Sequence, residues 1–179
     1  MLVNLSDVLA SEGKQVAITA VLEMDSFKTK MGNFKILDKT EVSLEFSNAG
    51  QGRAKIRGGV ELTFDTRCDR CLEEVPTMLT LQFDREVTSP DIALDSFQED
   101  DDCELNYNFM EGYQINVETF VYNEILLNWP MKILCKETCE GICKVCGKNL
   151  NEGECGCDRF VPDPRMAAIK DIFNANKEV

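Results

Sequence analysis

Apolar and polar residues alternate along much of the first half of the chain, the period of two that a half-buried β-strand produces. Val16, Ile18, Ala20 and Leu22 share one face of such a pattern, and Val42, Leu44 and Phe46 alternate with Glu41, Ser43 and Glu45 in another. The longest run extends from Arg53 to Arg67. Its even positions Ala54, Ile56, Val60, Leu62 and Phe64 are apolar and its odd positions mainly polar, while Gly58 and Gly59 in the middle predict a bulge or bend. Residues 78–87, with Leu79, Leu81 and Phe83 on one face, are the predicted partner strand. This places "CDRC", residues 68–71, at a hairpin end. Arg53, Lys55, Arg57 and Arg67 then share the non-core face of the first strand, with Arg70 at its tip.

The period changes further on. Residues 89–104, "SPDIALDSFQEDDDCE", have a proline, a run of acids and little periodicity, and read as a solvated surface loop. A carboxylate cluster holding catalytic magnesium is the sharper alternative, but acidic runs are commonly just solvated. Asn116 can then cap a helix with Glu118 in its first turn, running through Phe120, Val121, Ile125, Leu126 and Trp129 to a stop at Pro130. Its apolar residues cover more than one stripe, which predicts burial against the sheet. A last helix begins where Asp163 caps and Pro164 takes the first turn, with Met166, Ile169, Ile172 and Phe173 as its stripe. The expected fold is α+β: a mostly antiparallel β-sheet or open barrel with a buried helix and a C-terminal zinc-knuckle segment. Residues 1–130 would form the β-rich domain, and residues 131–179 the zinc-binding segment and final helix.

Composition sharpens this in three ways. A chain of 179 residues, 44% hydrophobic, has the core of one main domain. Residues 1–16 carry Asp7 and Glu12 without a continuous apolar stretch, so no signal peptide is expected, and no run approaches the roughly 18 apolar residues of a membrane span. The expected location is the cytoplasm, with no membrane partner. There the thiol pool stays reduced, so nine cysteines point to metal ligation or thiol chemistry rather than a disulfide framework. Histidine is absent altogether, which removes the general base of serine triads and of most cysteine nucleophiles. A non-enzymatic protein without a small-molecule substrate is the expectation.

The net charge of −13 is concentrated. Residues 72–126 hold fourteen acidic side chains against one basic, Arg85, so the rest of the chain is neutral and can still carry a local basic face.

The cysteines fall into groups. A C-x2-C turn offers two thiolates to one metal, and two such pairs complete a tetrahedron around zinc at about 2.3 Å per sulfur. Cys143 and Cys146, followed by Gly147, have that form; Cys155 and Cys157, with glycines at 153 and 156, supply the other half after a short excursion. Four protein ligands leave no open coordination position, so a zinc here would staple a segment with too few apolar residues to fold alone. Cys68, Cys71, Cys135 and Cys139 form a possible second zinc site, although Cys135 or Cys139 could compete for the first. The rival for Cys68 and Cys71 is a thioredoxin-like redox pair, which needs a helix to follow where a strand is expected. Cys103, in the acidic loop, is a spare.

Four stretches together resemble the YceD family of large ribosomal RNA accumulation proteins: "CDRCLEEV" (68–75), "INVETFVYNEILLNWPM" (115–131), the cysteine segment ending "GICKVCGKNLNEGECGC" (135–157) and "DPR" (163–165). They cover most of residues 60–175 in that family's order, while residues 1–50 share only a strand-rich character. Lys144 stands where such knuckles often have proline, and Met166 where tryptophan often follows "DPR". Some relatives look to lack the terminal knuckle while keeping the CxRC hairpin, which implies a supporting role for zinc. The resemblance implies a non-enzymatic factor in large ribosomal subunit biogenesis, needed for 23S rRNA to accumulate or be processed, with ribosomal RNA or a basic ribosomal protein as partner. Arg53, Lys55, Arg57, Arg67 and Arg70, joined by Lys144, Lys148, Arg159 and Arg165, could neutralise phosphates. Against this stand the sequence pI of about 4.5 and the prospect that cross-strand acids such as Glu41 and Glu45 pair with them. A protein–protein adaptor working through the acidic segment and a redox-regulated thiol switch are the other readings.

Overall fold

A computed structural model describes residues 1–30, 32–89, 91 and 109–157 of the chain. The fold divides into two compact units: Met1–Arg67 with Glu74–Ile133, and Cys68–Glu73 with Leu134–Val179. The hairpin tip that carries "CDRC" therefore clusters with the later cysteine segment.

The first unit is built from β1 (Leu2–Asn4), α1 (Ser6–Ala10), β2 (Gln15–Ala20), β3 (Ser26–Thr29), β4 (Gly32–Lys39), β5 (Val42–Gly50), β6 (Arg53–Arg67), β7 (Glu74–Thr88), β8 (Met110–Glu111), β9 (Gln114–Asn116) and α2 (Val117–Asn128). Among the described residues every pairing is antiparallel and neither sheet closes, as the expected mostly antiparallel sheet requires. β6 is the spine of the larger sheet. One side pairs with β7 over fifteen consecutive residues; the other pairs first with β5 and then, past Gly59, with β4.

The alternation dictates this placement. Ala54, Ile56, Val60, Leu62 and Phe64 of β6 are all buried, as are Val42, Leu44 and Phe46 of β5. α2 lies on the apolar face of the first unit. Asn116 caps it by accepting a bond from the Thr119 N–H at 3.3 Å, and Phe120 meets Phe83 edge-on with ring centroids 5.2 Å apart. Trp129, just past the helix, packs on Phe27, Phe34 and Phe64 at 4.7–5.1 Å.

Gly58 and Gly59 do not make a bulge, because the register with β7 runs through them unbroken. They serve close approach instead. A Cβ on Gly58 would stand 1.9 Å from the Ser43 carbonyl oxygen, and one on Gly59 would stand 2.8 Å from that of Leu81. β7 also begins four residues earlier than the pattern predicts. Most of the predicted acidic loop and the whole of the final helix lie outside the described residues, as do Cys103, Arg159 and Arg165.

Candidate metal centres

Within the second unit, eight cysteines gather into two sets. Cys68, Cys71, Cys135 and Cys139 form one, Cys143, Cys146, Cys155 and Cys157 the other, and within each the four sulfurs lie within 4.8 Å of one another. In the first set Cys68 Sγ is 3.7 Å from Cys139 Sγ, and Cys71 Sγ is 3.5 Å from Cys135 Sγ. Four sulfurs held about 2.3 Å from a tetrahedral zinc stand about 3.8 Å apart, whereas a disulfide requires about 2.05 Å. The donor sets therefore fit a closed tetrahedral metal site, and all eight thiols are free.

The same backbone device builds both C-x2-C turns. The N–H of the residue after the second cysteine donates back to the first cysteine's carbonyl: Leu72 to Cys68 at 2.9 Å, Gly147 to Cys143 at 2.8 Å. The first cysteine's own N–H then donates to the next residue's carbonyl, Cys68 to Glu73 and Cys143 to Lys148, each at 2.8 Å. Both turns need a left-handed residue where the chain reverses. Gly147 adopts φ 76 without strain, whereas Leu72 is held at φ 64, a region that disfavours a Cβ.

Hydrogen bonds stabilise sulfur charge selectively. Burial pushes the Cys68 thiol up, but the backbone amides of Cys71, Arg70 and Cys135 outweigh it and hold the group down at about 6. The amides of Cys146 and Val145 bring Cys143 down to about 6 in the same way, and the side-chain amide of Asn151, 3.3 Å from its sulfur, lowers Cys139. Cys71, Cys135 and Cys157 resist ionisation. Burial raises Cys135, while its neighbours Cys146 and Cys155 push Cys157 up to about 12. Four like charges at this spacing cannot coexist without a cation among them.

Supporting contacts surround the first set. Arg70 donates to the Cys139 carbonyl at 2.6 Å, and its own carbonyl accepts from the Ile142 N–H at 3.1 Å. Asn149 donates to Glu73 at 2.7 Å, while the Asn151 side-chain oxygen accepts from the Glu140 N–H at 3.0 Å. These four residues were not singled out as supports from sequence, although an "NLN" triplet between ligand pairs is a recognisable source of side-chain-to-backbone caps. Arg70, read above as a possible phosphate contact, is engaged in holding the cysteine loop.

The basic strand residues find partners within the first unit. Arg53 pairs with Glu86 at 3.1 Å, Lys55 with Asp84 at 2.9 Å and Arg57 with Asp84 at 3.6 Å. The pairing acids thus lie on β7, not at Glu41 and Glu45 as expected, because those partners depend on which strand flanks β6. Among the described residues no carboxylate pairs with Arg67, which is exposed.

Residues 56–173 match the family described as "Large ribosomal RNA subunit accumulation protein YceD", about two thirds of the chain. The chain belongs to the YceD family. Searches among curated proteins and among solved structures returned no match. The YceD match takes in both cysteine sets, β7, α2 and all of β6 beyond its first three residues, so Arg53 and Lys55 fall outside it. Membership in YceD associates the chain with large-subunit ribosomal RNA accumulation, which is not a known enzymatic activity. No described helix is long and apolar enough to cross a membrane.

Proposed function

We propose that the chain is a non-catalytic cytoplasmic factor in large ribosomal subunit biogenesis, supporting 23S rRNA accumulation by binding an assembly partner. Residues 1–130 supply the β-rich body, and the cysteine-rich residues 131–179, together with the 68–73 turn, form a segment held by two structural zinc ions. Cys68, Cys71, Cys135 and Cys139 ligate one ion; Cys143, Cys146, Cys155 and Cys157 ligate the other. With four thiolates each ion has no open position for substrate or water, so the metal contributes folding energy to a segment with few apolar residues. The observation that carries the reading is the pair of four-sulfur sets inside the region matched to the family.

Between the two partner classes, the ion pairs favour protein. Arg53, Lys55 and Arg57 are each engaged by a β7 carboxylate, so a phosphate would have to displace an existing partner to bind them. A basic ribosomal protein suits a chain of net charge −13. The test is depletion of the protein in its native cell followed by complementation. Loss of 23S relative to 16S rRNA, restored by wild type and by Arg53→Gln/Lys55→Gln/Arg57→Gln but not by a variant lacking both cysteine sets, supports the reading. An unchanged rRNA ratio on depletion would overturn it.

A further inference from the structure

β7 presents an open edge, and the hydrogen-bond register says which groups it displays. Cys68 N–H donates to Glu73 O just before the paired region, and Ser89 N–H donates to Gly52 O just beyond its other end, each at 2.8 Å. Both contacts continue the register that pairs Arg53 with Thr88 through Arg67 with Glu74. Since ladder bonds in an antiparallel pair recur every second residue, the odd residues of β7 bond to β6. Its even residues direct their N–H and C=O groups outward. Among the described residues no strand pairs with that side.

The edge is guarded at one end only. Pro76 is an even residue, so its missing N–H faces outward, which is how edge strands discourage pairing. From Met78 to Glu86 there is no proline, no register shift and no lysine. Met78, Thr80, Gln82, Asp84 and Glu86 are all exposed.

Charge indicates the occupant. On the exposed face the sheet alternates in sign from strand to strand: Glu45 on β5 stands in register with Arg57 on β6, and Arg53, Lys55 and Arg57 meet Glu86 and Asp84 on β7. The alternation ends on acids that keep 49% and 59% of their side-chain surface exposed. The next strand in the series would be basic. A second copy of β7 would bring another acidic column, and residues 92–108 of the chain itself contain six acids and no base.

We propose that β7 docks an extended, positively charged polypeptide segment as an added antiparallel strand along its edge from Met78 to Glu86. Backbone hydrogen bonds would supply affinity, and basic side chains opposite Asp84 and Glu86 would set register. The proposal goes beyond the biogenesis reading and rests on the strand edge alone, so either can fail without the other.

The test is amide hydrogen exchange on the full 179-residue chain with the peptide acetyl-Lys-Thr-Lys-Thr-Val-Thr-Val-Thr-amide and a control carrying glutamate in place of both lysines. The lysine peptide should slow exchange at the amides of Thr80, Gln82, Asp84 and Glu86 by about tenfold or more, and the glutamate peptide should not. Thr80→Pro removes an outward N–H without touching the β6 ladder, so it should abolish the slowing while far-UV circular dichroism stays unchanged. Should that variant misfold, Asp84→Asn/Glu86→Gln serves instead and should erase the preference for lysine. No slowing, or equal slowing by both peptides, would overturn the proposal. Slow exchange in the free chain would also overturn it, with a dependence on protein concentration indicating a second copy and its absence indicating the chain's own segment.

Discussion

The guanidinium of Arg85 closes on the carboxylate of Glu124 through two hydrogen bonds, Nε to Oε1 at 2.6 Å and Nη2 to Oε2 at 3.1 Å. Arg85 has the inward parity of Phe83 and Val87, and Glu124 lies on the buried side of α2, its side chain 5% exposed. The one basic residue of the acidic segment is thus spent on the one acid of α2 that sheet packing buries. The fork geometry secures the helix to the strand at a polar point within an otherwise apolar contact.

Removing the arginine strands that carboxylate. Arg85→Met should cost about 2 kcal/mol near neutral pH, below the usual range for a broken buried pair because the arginine itself is half solvated. Urea unfolding at pH 7 measures this, and Arg85→Met/Glu124→Gln should recover most of the loss. A double variant no more stable than Arg85→Met would show that packing, not charge, was removed.

Gly58→Ala should be among the most damaging single substitutions in the first unit. Its added methyl would collide with the Ser43 backbone, which cannot rotate away as a side chain would. The strands β5 and β6 must then separate locally, at a cost of about 3 kcal/mol. Thermal unfolding of the variant measures the loss; a change in Tm of a degree or less would mean the two strands are not held that closely.

The paired carboxylate of Asp84 is held below the usual range by the hydrogen bond from Lys55 and by the charges of Lys55 and Arg57. A depressed folded pKa contributes stability that is present above the unfolded value, about 4, and is lost as pH falls through the folded one. Asp84→Asn should therefore lower Tm at pH 7 and make progressively less difference as the pH is taken below 4. The same substitution measured in high salt should also lose much of its effect, since the pairs are half exposed.

Where a local pattern was decided by local chemistry, the sequence alone was enough. The bounds of β6 follow from five apolar even positions, the start of α2 from Asn116, and the grouping of Cys143 and Cys146 with Cys155 and Cys157 from spacing, whereas spacing left Cys135 and Cys139 free to join either set. Where a residue's role depends on what lies across from it, the pattern was silent or misleading. Gly58 and Gly59 signal only a missing Cβ, and whether that permits a bend or a neighbouring strand is set by β5 and β7. Arg53 and Lys55 found acids on β7 because β6 has its unbroken partner there. β3 and β4 had no clear signature, since Phe27, Phe34 and Ile36 are spaced among polar residues and become core only against Trp129, Phe64 and Tyr122.

The two knuckles offer the sharpest test of the metal assignment, because one fold of backbone is made with two different residues. If both sets bind zinc, elemental analysis of protein purified without added metal should give two ions per chain, and Cys68→Ser/Cys71→Ser should give one. Leu72→Gly should keep both ions. It relieves the left-handed strain at φ 64, a gain of roughly 1 kcal/mol partly offset by the greater freedom of glycine in the unfolded chain, so chelators should strip the ion held by Cys68 no faster than in wild type. Gly147→Val imposes a β-branched residue at φ 76 and should lose the ion held by Cys143 while leaving the other in place. Each ligand must shed a proton to bind, so both ions should leave more readily as pH falls. A chain that holds two ions regardless of Gly147→Val would place the second ion away from that turn, and one that holds none would leave the thiols as the working groups.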